Sequence, residues 1–219
     1  MSRFFDMDSP VMRFLSKVAD LLILNIITAL CCIPIITIGA SMTALHYVLL
    51  KMVRNEEGYI VRSFFKSFKE NFKQATIIWA IILAFILVFV GDLFIMNYAA
   101  IAFPTVLKMI LLALAFFVFI VCIYVFPVLS RFDNSIRNTW KNALFMSVLS
   151  LPKTILMVII YAVPIVLIFF VPMAIPFVLM FGIAAPAYFC AMLYSGTFKR
   201  FEPEEEQELD GLETDNESM

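Results

Sequence analysis

Four stretches of this chain contain no Asp, Glu, Lys or Arg: residues 21–50, 74–91, 109–130 and 154–198. A helix needs ~20 apolar residues, at ~1.5 Å rise each, to cross the hydrocarbon core of a bilayer. Each uncharged run of that length is a candidate crossing, and a chain of 219 residues has no soluble core large enough to bury four of them. Charged residues make up only 15% of the chain, against roughly a quarter in soluble domains. The fold class expected is an all-α polytopic membrane bundle.

Basic residues mark the cytoplasmic side of a membrane protein, and here they fall into four clusters. These are Arg3, Arg13 and Lys17; Lys51, Arg54, Arg62, Lys66, Lys69 and Lys73; Arg131, Arg137, Lys141 and Lys153; and Lys199 with Arg200. Only Lys108 stands apart. If all four clusters share one side, an even number of crossings separates each from the next. Residues 74–130 then hold two spans, about 74–95 and 105–130, joined around Asn97–Pro104. The run 154–198 would be ~68 Å long as one helix, so it must fold back, and VPMAIP (171–176) is the turn.

The run 21–50 admits two readings. As one helix of ~45 Å it is a single, steeply tilted span. As a hairpin it is two short crossings, about 11–33 and 40–54. Pro34 ends the first, Gly39 permits the turn, and Ser41 or Thr43 caps the second. A weak internal repeat favours the hairpin, because IPIITIGASMTALHY (33–47) resembles IPFVLMFGIAAPAYF (175–189), whose Ile-Pro lies at a turn. The hairpin also puts all the basic residues except Lys108 on one side. The expectation is six short spans in three hairpins, with both termini cytoplasmic; five spans with a kinked first helix is the alternative.

The net charge of −1 hides a segregation. From Glu202 onward there are nine acids and no Lys or Arg, so 202–219 reads as a disordered cytoplasmic tail following a transmembrane domain over 1–201. The body is basic, which suits anionic lipid head groups and a bilayer; nucleic acid is not an expected partner, because the cations lie between membrane spans. The four cysteines, Cys31, Cys32, Cys122 and Cys190, have no ligand spacing and read as buried free thiols.

Two cytoplasmic segments read as amphipathic helices lying at the interface. In VRSFFKSFKENFKQ (61–74), Val61, Phe64, Phe65, Phe68 and Phe72 form an aromatic face for lipid, while Arg62, Lys66, Lys69 and Lys73 lie on another. In SIRNTWKNALFMSVLSLPK (135–153), Ile136, Trp140, Leu144, Val148 and Leu151 line one side, with Arg137 and Lys141 beside a ladder of Asn134, Asn138 and Asn142. These cations are candidates for a partner or lipid interface. Trp79 and Trp140 fit an aromatic belt at the inner boundary.

Candidate intramembrane polar residues are His46, Asp92 and Asn25. A lone His without a second ligand in helical register reads first as a hydrogen-bonded packing residue. Asp92 and Lys108, near the outer ends of consecutive spans, read as a structural ion pair. Asn25, Thr28, Thr37 and Thr43 read as glue between helices. Pro127 and Pro164 lie inside spans, where they kink helices and free carbonyls. No nucleotide-binding, zinc-protease or nucleophile-elbow motif is present. The expectation is no catalytic residue, no metal and no cofactor.

RFLSKVADLLILN (13–25), LCCIPIITIGASMTALHYVLLKMVRNEEG (30–58), SFFKSFKENFKQAT (63–76) and SRFDNSIRNTWKNALFMS (130–147) together resemble the YesL family of small bacterial integral membrane proteins. The resemblance covers residues 11–200, and its landmarks here are Pro34, Thr37, Gly39, Phe68, Asn71, Lys73, Arg131, Asp133 and Asn134. The family's domain has no assigned function. What the resemblance implies is a multi-pass protein of the bacterial plasma membrane and an accessory role in carbohydrate uptake or sensing, beside sugar ABC-transporter permease subunits or a sensor kinase. The runner-up is a small solute transporter acting as a homo-oligomer, since six short spans need a second copy to enclose a pathway.

Overall fold

The computed structural model describes residues 10–56, 58–98, 104–132, 134–198 and 201. Asp133 and the acidic tail 202–219 lie outside the described residues. Eight α-helices account for nearly all of the rest: α1 (Pro10–Cys31), α2 (Ile38–Arg54), α3 (Ile60–Tyr98), α4 (Thr105–Arg131), α5 (Ile136–Leu149), α6 (Leu151–Phe170), α7 (Ile175–Phe181) and α8 (Ala184–Phe198). No strand occurs among the described residues. Five helical segments are long and apolar enough to cross a membrane, and α7 with α8 makes a sixth if that bent pair is one span.

The run 21–50 is a hairpin. α1 stops at Cys31 because Pro34 follows, and a short 3-10 turn over Ile35–Thr37 leads into α2. The Thr37 hydroxyl donates towards the carbonyls of Cys31 (2.6 Å) and Pro34 (2.7 Å). One small side chain thus serves the carbonyl that the end of α1 leaves unpaired at Cys31 and reinforces the turn at Pro34. Neither Ser41 nor Thr43 caps α2: Thr37 holds the N-cap position, and Thr43 donates back to Gly39 O within its own helix. Asn55 closes α2 in the left-handed conformation (φ 57°), its N–H directed at Lys51 O and Met52 O.

Gly39 does not act by permitting a turn. It lies inside the first turn of α2, and a Cβ there would meet Ala75 O at 2.4 Å and the Trp79 Cβ at 2.7 Å. What the glycine provides is close approach of two helices. That contact also sets the register: α2 runs antiparallel beside residues 60–79 of α3. The last 19 residues of α3, ~28 Å of helix, extend past the α1–α2 joint alongside α4. α2 is the central helix, with eleven of its 17 residues buried; it packs along α3 and also against α8 and α4.

The first amphipathic segment is not a separate interfacial helix. Residues 61–74 are the opening turns of the 39-residue α3, which is ~58 Å long. No Gly or Pro occurs between Ile60 and Val90 to break it. Its aromatics also divide: Phe64 is fully buried and Phe68 half-buried, whereas Val61, Phe65 and Phe72 are exposed. The buried residues Phe64, Ser67, Ala75 and Ile78, with the half-buried Asn71, form a stripe that faces α2, so protein rather than lipid takes that side. The second segment is a distinct helix, α5, packed on α4 through Thr139, Ala143, Met146 and Ser147. Its Leu144, Phe145, Val148 and Leu149 are exposed.

The third hairpin turns where the prolines place it. α6 ends at Phe170, a 3-10 turn covers Pro172–Ala174, and α7 begins at Ile175. α7 and α8 then meet at a 60° bend around Gly182. Pro127 and Pro164 sit inside α4 and α6.

Candidate functional site

Asn25 is 1% exposed and holds the bend between α7 and α8. In an unbroken helix the carbonyl of Leu179 would accept from the N–H of Ile183. Here the Asn25 amide stands between them. Its Nδ2 donates to Leu179 O at 2.9 Å, and its Oδ1 accepts from the N–H groups of Ile183 and Ala184, both at 3.0 Å. A side chain inserted into the backbone ladder is an established cause of a kink, and inside a bilayer the freed groups must be satisfied by protein. Asn25 therefore does join helices. Thr28 and Thr43 do not, since each bonds a carbonyl four residues back in its own helix.

His46, on α2, is 2% exposed. Its Nδ1 lies 3.1 Å from the hydroxyl of Tyr194 on α8, and the two rings meet edge to face with centroids 5.9 Å apart. Among the described residues no group of three or more His, Cys, Asp or Glu is placed to hold a metal. The four cysteines are free; Cys190 is buried and the other three half-buried.

A second polar network lies where α4, α5, α6 and α8 converge. The Tyr124 hydroxyl is 3.1 Å from Thr154 Oγ1, which bonds the carbonyls of Ser147 and Ser150 at 3.0 Å. Ser150 Oγ reaches Thr197 Oγ1 at 3.3 Å, and Lys153 Nζ donates to the same oxygen at 3.0 Å. Sequence reasoning missed Tyr194, Tyr124 and Thr154. A hydroxyl on an apolar helix face was the available signal, but its partner 30 to 148 residues away was not legible.

The candidate interface cations behave differently from these buried groups. Arg62, Lys66, Lys69 and Lys73 lie along one exposed face of α3, and Arg137 and Lys141 are exposed on α5. Between the middle of α1, the end of α2 and the start of α3 lies a cavity of about 280 Å³ lined by Asp20, Lys51, Glu56 and Tyr59, among others. Lys51 also stands over the Tyr47 ring at 5.2 Å.

Asp92 and Lys108 line one cavity but form no ion pair with each other. Trp79 packs on Phe126 and against Gly39, where α2 meets α3. Two further landmarks are held by hydrogen bonds. Asn71 bonds Ser67 in its own helix, and Asn134 accepts from the Gln74 amide at 2.5 Å, tying the α4–α5 connection to α3. Arg131 ends α4 and is half-buried.

No curated protein and no solved structure matches the chain. Residues 21–93, from α1 to near the end of α3, match the family described as protein of unknown function, DUF624. That segment contains Pro34, Thr37 and the Gly39–Ala75 crossing, the features that fix the first hairpin against α3. Over residues 21–93 the chain is thus similar to that family of unknown function, in agreement with the YesL-family resemblance of its sequence.

Proposed function

We propose that this protein is a non-catalytic accessory component of a membrane assembly in the bacterial plasma membrane, linked to carbohydrate uptake or sensing. The observation that carries the reading is how the polar groups are divided. Inside the bundle, Asn25, His46, Tyr124 and Thr154 are engaged in joining helices. The six cations of α3 and α5 point outward. By the positive-inside rule, those cations and the C-terminus face the cytoplasm, where they are available to a protein partner and to anionic lipid. The link to carbohydrate rests on the family resemblance, and the partner it suggests is a sugar ABC-transporter permease or a sensor kinase.

One observation favours the reading of a small solute transporter. A broken helix such as α7–α8 frees backbone groups, and transporters use such groups to bind substrate. Here Asn25 already occupies three of them, which weighs against that use within a single copy. Gentle solubilisation of the native membrane through a C-terminal tag separates the two readings. The accessory reading expects a permease or kinase subunit in stoichiometric amount; a homo-oligomer that carries solute flux in liposomes would overturn it.

A further inference from the structure

We propose that the groove between the far halves of α3 and α4 binds a phospholipid whose head group carries both a phosphate and a primary ammonium. One acyl chain lies in the groove, and the head group sits between Asp92 and Lys108. The inference does not depend on the accessory reading.

The acid comes from α3 and the base from α4, and both line a cavity of about 150 Å³ with Phe89, Met96 and Leu111. Among the described residues neither charge forms an ion pair. Lys108 also sits where its own helix disfavours it, in the first turn of α4 at the positive end of the helix dipole. Asp92 is half-buried beside the apolar groove, where a charge without a partner is costly, and Lys108 is exposed at the same end. A zwitterion satisfies both: its ammonium pairs with Asp92 and its phosphate with Lys108, through charge-assisted hydrogen bonds.

The head-group cavity opens into a second, larger one. A groove of about 510 Å³ runs between the same helices and shares Phe89, Asp92, Leu111 and Leu112 with it. Its walls are otherwise apolar, from Ile82 on α3 to Cys122 on α4. Ile82 to Asp92 is ~15 Å of helix, about half of the ~30 Å hydrocarbon core. The groove is therefore as deep as one leaflet and has its charges at one end, the shape of a phospholipid. A water-soluble zwitterion would leave the groove unfilled, which is why a lipid is the better fit.

The full chain is reconstituted in bilayers of equal parts phosphatidylethanolamine, phosphatidylcholine and phosphatidylglycerol, extracted gently, and its retained lipids counted by native mass spectrometry. The wild type is expected to hold one phosphatidylethanolamine per chain, favoured about tenfold over the other two. Asp92→Asn leaves Lys108 alone and should shift the preference to phosphatidylglycerol. Lys108→Gln should abolish selective retention. Helix content and elution as a single species provide the folding control for each variant, and either one suffices as the test. Wild-type retention in proportion to the lipids supplied overturns the proposal, as does an ethanolamine preference that survives Asp92→Asn or Lys108→Gln.

Discussion

Asn25 replaces a backbone hydrogen bond that the α7–α8 bend breaks. Asn25→Leu fills similar space but leaves a carbonyl and two N–H groups buried without partners, at ~1–3 kcal/mol each before relaxation. We expect a loss of about 3 kcal/mol or more, read as a lower unfolding midpoint in detergent, and a straighter α7–α8 pair. Tyr194→Phe removes only the hydroxyl facing His46. It should cost about 1 kcal/mol in the same unfolding measurement and leave partner association unchanged. If association is lost while the fold is retained, the Tyr194–His46 pair has a role beyond packing. Gly39→Ala should destabilise by ~1–3 kcal/mol through overpacking, because the added methyl would sit 2.4 Å from Ala75 O. An unchanged midpoint would mean that α2 and α3 separate at little cost. Asn25 and His46 were legible as polar residues in uncharged runs, but their partners on α7 and α8 were not, since nothing in the sequence reveals which helices pack together.

Helices and their turns were more legible than the contacts between them. Pro34 and the Pro172–Pro176 turn mark two hairpins, and both form where the breakers stand. The continuity of α3 was obscured because its amphipathic opening and its apolar remainder share the helical period and differ only in composition. The absence of Gly and Pro from Ile60 to Val90 was the available sign. Depth was not legible at all. Depth relative to the far end of α3 follows from the Gly39–Ala75 contact, which places the α1–α2 joint beside the middle of that helix. A fluorophore at residue 36 should therefore be quenched by lipids brominated deep in the acyl chain, whereas one at residue 105 should be quenched near the head groups. Equal quenching depth at the two positions would contradict the register.

At the scale of the whole molecule, the buried core lies towards the ends of the helices that carry the basic clusters. It is built on α2, with the first half of α3, the second half of α4, and α5 and α8 around it. The far halves of α3 and α4 stand clear of it, exposing Phe85, Leu87, Val88, Ile110, Leu112 and Phe116. The resulting molecule has a tightly joined body, an apolar arm and a set of outward cations. In the proposed function those cations hold a partner. The most direct measurement compares the tagged wild type with a variant carrying Gln at positions 62, 66, 69, 137 and 141, both extracted from native membranes, and identifies what copurifies. That function requires a stoichiometric membrane partner with the wild type and its loss, with normal folding, from the variant. The same partner recovered with both, or none with either, would contradict it.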